Sequence, residues 1–163
     1  MYGVLSLSYK YYLHASDESV YYPDYITNKV AKQSAAILDN FGYDTKIIPH
    51  TEEASMKLFL NETYLARVIE GCNGFSVIIL FIAFIVAFSG KLKTTFLYLL
   101  LGSVLIYLVN LLRIVLLSIA LYHYPEYREI LHTIVFPAII YGLVFLLWIV
   151  WVNRFSKLNT SNA

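Results

Sequence analysis

Hydrophobic and polar positions divide this chain at about residue 72. Most charged residues lie in positions 1–70, whereas positions 74–152 are nearly free of them. A membrane-spanning helix needs about 20 apolar residues, each rising about 1.5 Å. Three segments meet that requirement: from Cys72 or Gly74 to Gly90, from Thr94 to about Tyr124, and from Thr133 to Val152. The second is longer than a bilayer needs, so it must tilt, break or project past the interface. The third carries Pro137 one turn in, where proline is best tolerated although it can kink a helix. Residues 1–14 are apolar and aromatic but too short to span, with no basic start or small-residue cleavage site to mark a signal peptide. They look like the outer half of a membrane helix whose beginning is missing, or like a partly inserted interfacial segment.

Residues 15–71 pattern differently. Apolar positions Ile26, Val30, Ala31, Ile37, Leu38 and Phe41 follow near-helical spacing, with Gly42 as a stop signal, which predicts a helix at about 25–41. Strands are expected at about 43–48, 56–60 and 64–69, the last two flanking a turn at Asn61-Glu62-Thr63. That tripeptide also fits a glycosylation acceptor, though so short a match is weak. The last strand feeds directly into Gly71-Cys72, so a hairpin packed above a helical bundle would fix where the thiol points. The expected fold is an all-α polytopic membrane protein, a transmembrane helix bundle, with a small extracytoplasmic α/β segment. It divides into a partial or truncated N-terminal membrane helix (1–14), the extracytoplasmic segment (15–71), a three-helix transmembrane core (72–153) and a cytoplasmic tail (154–163).

Composition agrees. The 163 residues are 59% hydrophobic, 17% aromatic and 14% charged, against about 45–50% apolar and about 25% charged in soluble domains. The net charge of +1 comes without a basic stripe, so nucleic acid is not an expected partner. One cysteine allows no internal disulfide. Lys91-Leu92-Lys93 and Arg154-Phe155-Ser156-Lys157 are basic and free of acids, whereas Tyr124–Leu131 carries Glu126, Arg128 and Glu129. The positive-inside tendency makes the two basic sites, and with them the C-terminus, cytoplasmic. Cys72, the Tyr124–His132 connection and the nine acids of residues 15–70 then face outward.

Three polar groups stand out against the apolar half. Measured from the cytoplasmic edges, Cys72 lies 18 residues from Gly90, Arg113 19 from Thr94 and His132 21 from Asn153. At the helical rise these are ~27, ~28 and ~31 Å, all near the outer face of a core about 30 Å thick. Each has a bland reading: a packed thiol, a snorkelling guanidinium, an ordinary interfacial histidine. Arginine within a membrane helix costs about 2.5–3.5 kcal/mol on insertion scales, which favours a functional reading. Asn110 lies one turn before Arg113 and predicts a polar seam turned into the bundle. His123 is a rival base at the end of the long helix, and Glu126 and Glu129 read as loop-solvating. A thiolate is the reactive form of cysteine and pairs with a histidine base in acyl transfer, and a guanidinium suits a thiolate or an oxyanion. Zinc fits poorly: there is one cysteine, no HExxH, and no recognised spacing between His123 and His132. No glycine-rich phosphate loop or haem-attachment motif is present, so no cofactor is expected.

Glu70-Gly71-Cys72-Asn73-Gly74 leading one helix, Asn110-Leu111-Leu112-Arg113-Ile114 within the next, and a histidine opening the one after resemble the exosortase/archaeosortase family, most closely its small exosortase F type. The resemblance covers about residues 20–155. It implies a membrane-embedded cysteine transpeptidase with Cys72 as nucleophile, Arg113 as second and His132 as third catalytic residue. Glu70, Asn73 and Asn110 then fall in supporting places. It further implies an additional N-terminal helix and multi-pass residence in a bacterial cytoplasmic (inner) membrane. The implied substrates are exported proteins whose C-terminal tail carries a short motif, a hydrophobic helix and a basic end. An accessory membrane protein is left open. Two other readings of the residues stand beside it: a non-catalytic membrane assembly or export component, and a small transporter subunit in which Asn110 and Arg113 bind an anion.

Overall fold

The computed structural model describes residues 2–16, 23–88 and 90–155. In chain order these form α1 (Tyr2–Ser16), α2 (Tyr25–Asn40), β1 (Thr45–Pro49), β2 (Ser55–Leu60), β3 (Thr63–Ile69), α3 (Phe75–Ala87), α4 (Leu92–His123), the short α5 (Arg128–Ile130) and α6 (Phe136–Arg154). The chain is mostly helical with one small sheet. The cytoplasmic tail expected at 154–163 lies largely at positions 156–163, outside the described residues.

Helix α2 begins where the Asp24 carboxylate accepts hydrogen bonds from the Ile26 and Thr27 amides at 2.9 and 3.1 Å. Such a cap satisfies donors that the first helical turn leaves orphaned. The helix ends before Gly42, whose φ of 88° is open to glycine without strain. Beyond it the strands pair in the order β1-β2-β3, antiparallel throughout. Leu60 opposes Thr63, so the β2–β3 turn is the two residues Asn61-Glu62. Their φ values of 46° and 66° match the primed turn that suits strand twist. Leu58 pairs with Ala66 and Phe59 with Tyr64, which leaves Leu65 without a partner, as a bulge. The extra residue shifts the alternation, so that Leu65 and Val68 both turn inward and are buried.

Two layers share α4. Its N-terminal half packs with α3 and α6 through Phe81, Ile85, Ile106, Ile140, Val144 and Trp151. Its C-terminal half packs under the sheet and α2: Leu111 and Ile114 meet Val30, Met56 and Val68, and Val115 meets Leu38, Leu58 and Leu65. The 32-residue helix is unbroken and about 48 Å long. Its excess over a bilayer's thickness is used as the sheet's packing partner.

The expectation of three spans is corrected. Among the described residues two helices are long and apolar enough to cross a membrane, Leu92–His123 and Pro125–Arg154. Helix α3 has 13 residues, about 20 Å. It starts late because Glu70–Cys72 form a 3-10 turn and Gly74 takes φ 79°. It ends early where the Phe88 carbonyl accepts from the Trp151 indole at 2.8 Å and Gly90 lies against the Phe155 carbonyl. The distance from Cys72 to Gly90 is therefore not a run of uniform helix. The expected loop at Tyr124–Leu131 is corrected as well. It is made of helical turns, and Leu131–Val135 form a widened π-type turn just before Pro137. Proline lacks the amide that a regular turn would need there, and a π-bulge absorbs the mismatch.

Gly102 seats α3 against α4: a Cβ there would lie 2.3 Å from the Phe81 ring. Gly102→Ala is expected to destabilise the fold by about 1–3 kcal/mol through overpacking. Thermal unfolding in detergent checks this, and Phe81→Leu in the same chain should restore part of the loss.

Candidate active site

Cys72 closes the turn between β3 and α3 and is half-buried, with a free thiol. Two asparagines hold that turn. Asn110 of α4, fully buried, donates through Nδ2 to the Cys72 carbonyl at 2.9 Å. Asn73, also buried, accepts from the Phe75 amide at 2.9 Å, closing an Asx turn just ahead of α3. Its Nδ2 donates to the Tyr9 hydroxyl at 2.7 Å and to Thr27 Oγ1 at 3.1 Å, tying α1, α2 and α3 together. Gly74 lies between them. Its left-handed backbone favours glycine, and a Cβ there would come within 3.0–3.2 Å of the Asn110 side chain. The Gly-Cys-Asn-Gly run is thus a rigid turn fitted against α4.

Beside it lies a cavity of about 510 Å³, within the range of ligand sites. One wall is β3, from Tyr64 to Ile69, ending at Cys72. A second is a face of α4: Arg113, Ile114, Leu117, Ser118 and Leu121. The third is Arg128, Glu129, His132 and Thr133 of the turns before α6. Cys72, Arg113 and His132, from three separate elements, therefore line one cavity. Arg113 is partly exposed, but its Nε is buried without a hydrogen bond, so part of the guanidinium has unmet donor capacity at this wall. His132 is exposed, sits in the π-type turn and lines the same cavity.

The supporting candidates are placed differently from the trio: Glu70, Asn73 and Asn110 are not among the residues that line the cavity. Asn73 and Asn110 build the turn, and Glu70 begins it, half-buried. His123 is away from the cavity, with Nε2 3.3 Å from the Tyr43 hydroxyl. Glu129 is exposed, as a solvated side chain is, and it also lines the cavity. Sequence reasoning missed Arg67 and Arg128. Arg67 pairs with Glu53, and Arg128 donates to the Leu65 carbonyl. Arg128 and Glu129 precede His132 by four and three residues, the spacing of one helical face, which was the available signal. Among the described residues no cluster of three or more His, Cys, Asp or Glu could hold a metal ion.

Two long apolar helices, an outer surface rich in exposed leucine, isoleucine and phenylalanine, and a thiol-bearing cavity under a small sheet define a membrane protein with an enzyme-like site. The family model for transmembrane exosortase (Exosortase_EpsH) matches residues 25–153, and the chain belongs to that family of membrane sorting transpeptidases. No curated protein and no solved structure matches the chain.

Proposed function

We propose that this chain is an exosortase of the F type that cleaves the C-terminal sorting tail of exported proteins through an acyl-enzyme on Cys72. The observation that carries the reading is the single cavity lined by Cys72, Arg113 and His132. Neutral His132 takes the thiol proton, and the thiolate attacks the carbonyl carbon of the scissile peptide bond. Negative charge develops on that carbonyl oxygen, where the Arg113 guanidinium stabilises it. Collapse breaks the C–N bond, the imidazolium protonates the leaving amine, and a thioester remains on Cys72. An amine acceptor or water then attacks the thioester and releases the thiol.

In this reading the protein is multi-pass in a bacterial cytoplasmic membrane. The basic stretches at Lys91–Lys93 and at the C-terminus face the cytoplasm, and the sheet and cavity face outward. Helix α1 packs at the start of α3, where the Tyr9 and Phe75 rings meet, and the short α3 dips from the outer interface beside α4 and α6. The substrate's hydrophobic helix docks laterally in the bilayer and brings its motif to the cavity. An accessory membrane protein could assist that docking.

Incubation of the purified chain in nanodiscs with a tailed exported protein, followed by acid quench and mass spectrometry, is expected to find a thioester adduct on the Cys72 peptide that hydroxylamine removes. Turnover with no adduct, or with an adduct elsewhere, would overturn the proposal. An inert thiol together with no turnover would favour the non-catalytic assembly role.

A further inference from the structure

Among the described residues β3 is an edge strand, paired with β2 on one side only. Its residues Tyr64, Leu65, Ala66, Arg67, Val68 and Ile69 all line the cavity. Side chains alternate between the two faces of a strand, so a cavity lying on one face would be lined by every second residue. Consecutive residues mean that it reaches from the inner face, where Leu58 of β2 also lines it, round to the strand's open edge, where backbone amides and carbonyls lack strand partners. One of those groups already meets a donor: the carbonyl of the bulged Leu65 accepts from Arg128 across the cavity. The trench leads from there along Ala66–Ile69 to Cys72.

We propose that this edge is where the substrate's recognition segment binds, as an extended peptide added to the sheet as a fourth strand. The proposal rests on the sorting-tail reading for the identity of the peptide. Addition to a sheet edge recognises main chain first and leaves alternate side chains to read pockets. Four residues at about 3.3 Å each give the usable edge, Ala66–Ile69, a length of about 13 Å, enough for a short motif. Arg128 marks its far limit by occupying the Leu65 carbonyl. β3 runs toward Cys72 and the chain then enters apolar α3. A tail whose hydrophobic helix follows the cleaved bond therefore runs parallel to β3, with its motif on the edge and its scissile carbonyl at the thiol.

The test places the changes in the peptide, so the fold of the chain is untouched. Peptides are selected from a random eight-residue displayed library against the full chain carrying Cys72→Ala in nanodiscs, and each selected peptide is resynthesised with one N-methylated amide at a time. An added strand predicts that N-methylation at two positions, two residues apart, weakens binding about tenfold or more each, while the position between them is tolerated. Recovery of no binding peptides, or a loss lacking this period of two, would overturn the proposal. Because the Cys72→Ala chain binds without turnover, this outcome is separate from whether wild type processes a tailed protein.

Discussion

Replacing Cys72 by alanine is expected to lower processing of a tailed exported protein by on the order of 10³-fold or more, because no other residue lining the cavity offers a comparable nucleophile. His132→Ala should fall nearly as far, and the Cys72→Ala/His132→Ala chain no further. Groups that act as one unit lose their effect together, so their losses do not add. Arg113→Ala should cost on the order of 10²–10³-fold, the usual loss for removing one oxyanion donor. Arg113→Lys should recover only part of that, since an ammonium lacks the guanidinium fork. Co-expression followed by immunoblotting gives the ranking, and single-turnover kinetics in nanodiscs give the magnitudes. Undiminished processing by Cys72→Ala would end the enzymatic reading, and an Arg113→Ala chain as active as wild type would remove Arg113 from the mechanism.

The second large effect is expected where no group touches substrate. Gly74→Ala must place a Cβ on a backbone at φ 79°, which costs about 1–2 kcal/mol in a left-handed conformation. It also presses on Asn110, whose Nδ2 holds the Cys72 carbonyl. Asn110→Ala removes that bond and leaves a carbonyl short of its donor, at about 1–3 kcal/mol. The alanine also vacates the space that the Gly74 Cβ would need. The double variant is therefore expected to be less damaged than the sum of the singles, by at least ~0.5 kcal/mol in unfolding free energy. Both singles should also slow acyl-enzyme formation, by moving the thiol relative to Arg113 and His132. Simple additivity in the cycle would show that Gly74 and Asn110 act independently and that the turn is not set by their contact.

Much of this protein was legible from the residues. An apolar half and a polar half, a helix before Gly42, a hairpin turning within Asn61-Glu62-Thr63, and two long spans all follow from local periodicity and turn chemistry, which act over a few residues. The third span was misjudged for the same reason in reverse. Residues 72–90 have the composition of a crossing helix, but a 3-10 turn, a left-handed glycine and the long-range bond from Trp151 shorten it to Phe75–Ala87. Arg67 and Arg128 were missed, and Glu129 was read only as solvated, because a charged residue outside an apolar run carries no depth signal. Only the fold shows which of them face a cavity.

Helical rise counted from the cytoplasmic edges suggested one level for Cys72, Arg113 and His132, but it assumes uniform helix, which holds for Arg113 within α4 and not for Cys72 or His132. It could not say whether the three point toward one another. That was decided by contacts between distant segments. Asn110 holds the carbonyl of Cys72 across 38 residues of sequence, and α4 packs under the sheet through Leu111, Ile114 and Val115. The π-type turn before Pro137 carries His132 into the same wall. The sequence by itself therefore determined the membrane character, the elements and the identity of the polar trio, because those depend on side-chain chemistry and local spacing. The tertiary structure alone brought the three onto one cavity and laid that cavity along the open edge of β3, because rotation about each helix axis and the choice of sheet edge are set by packing.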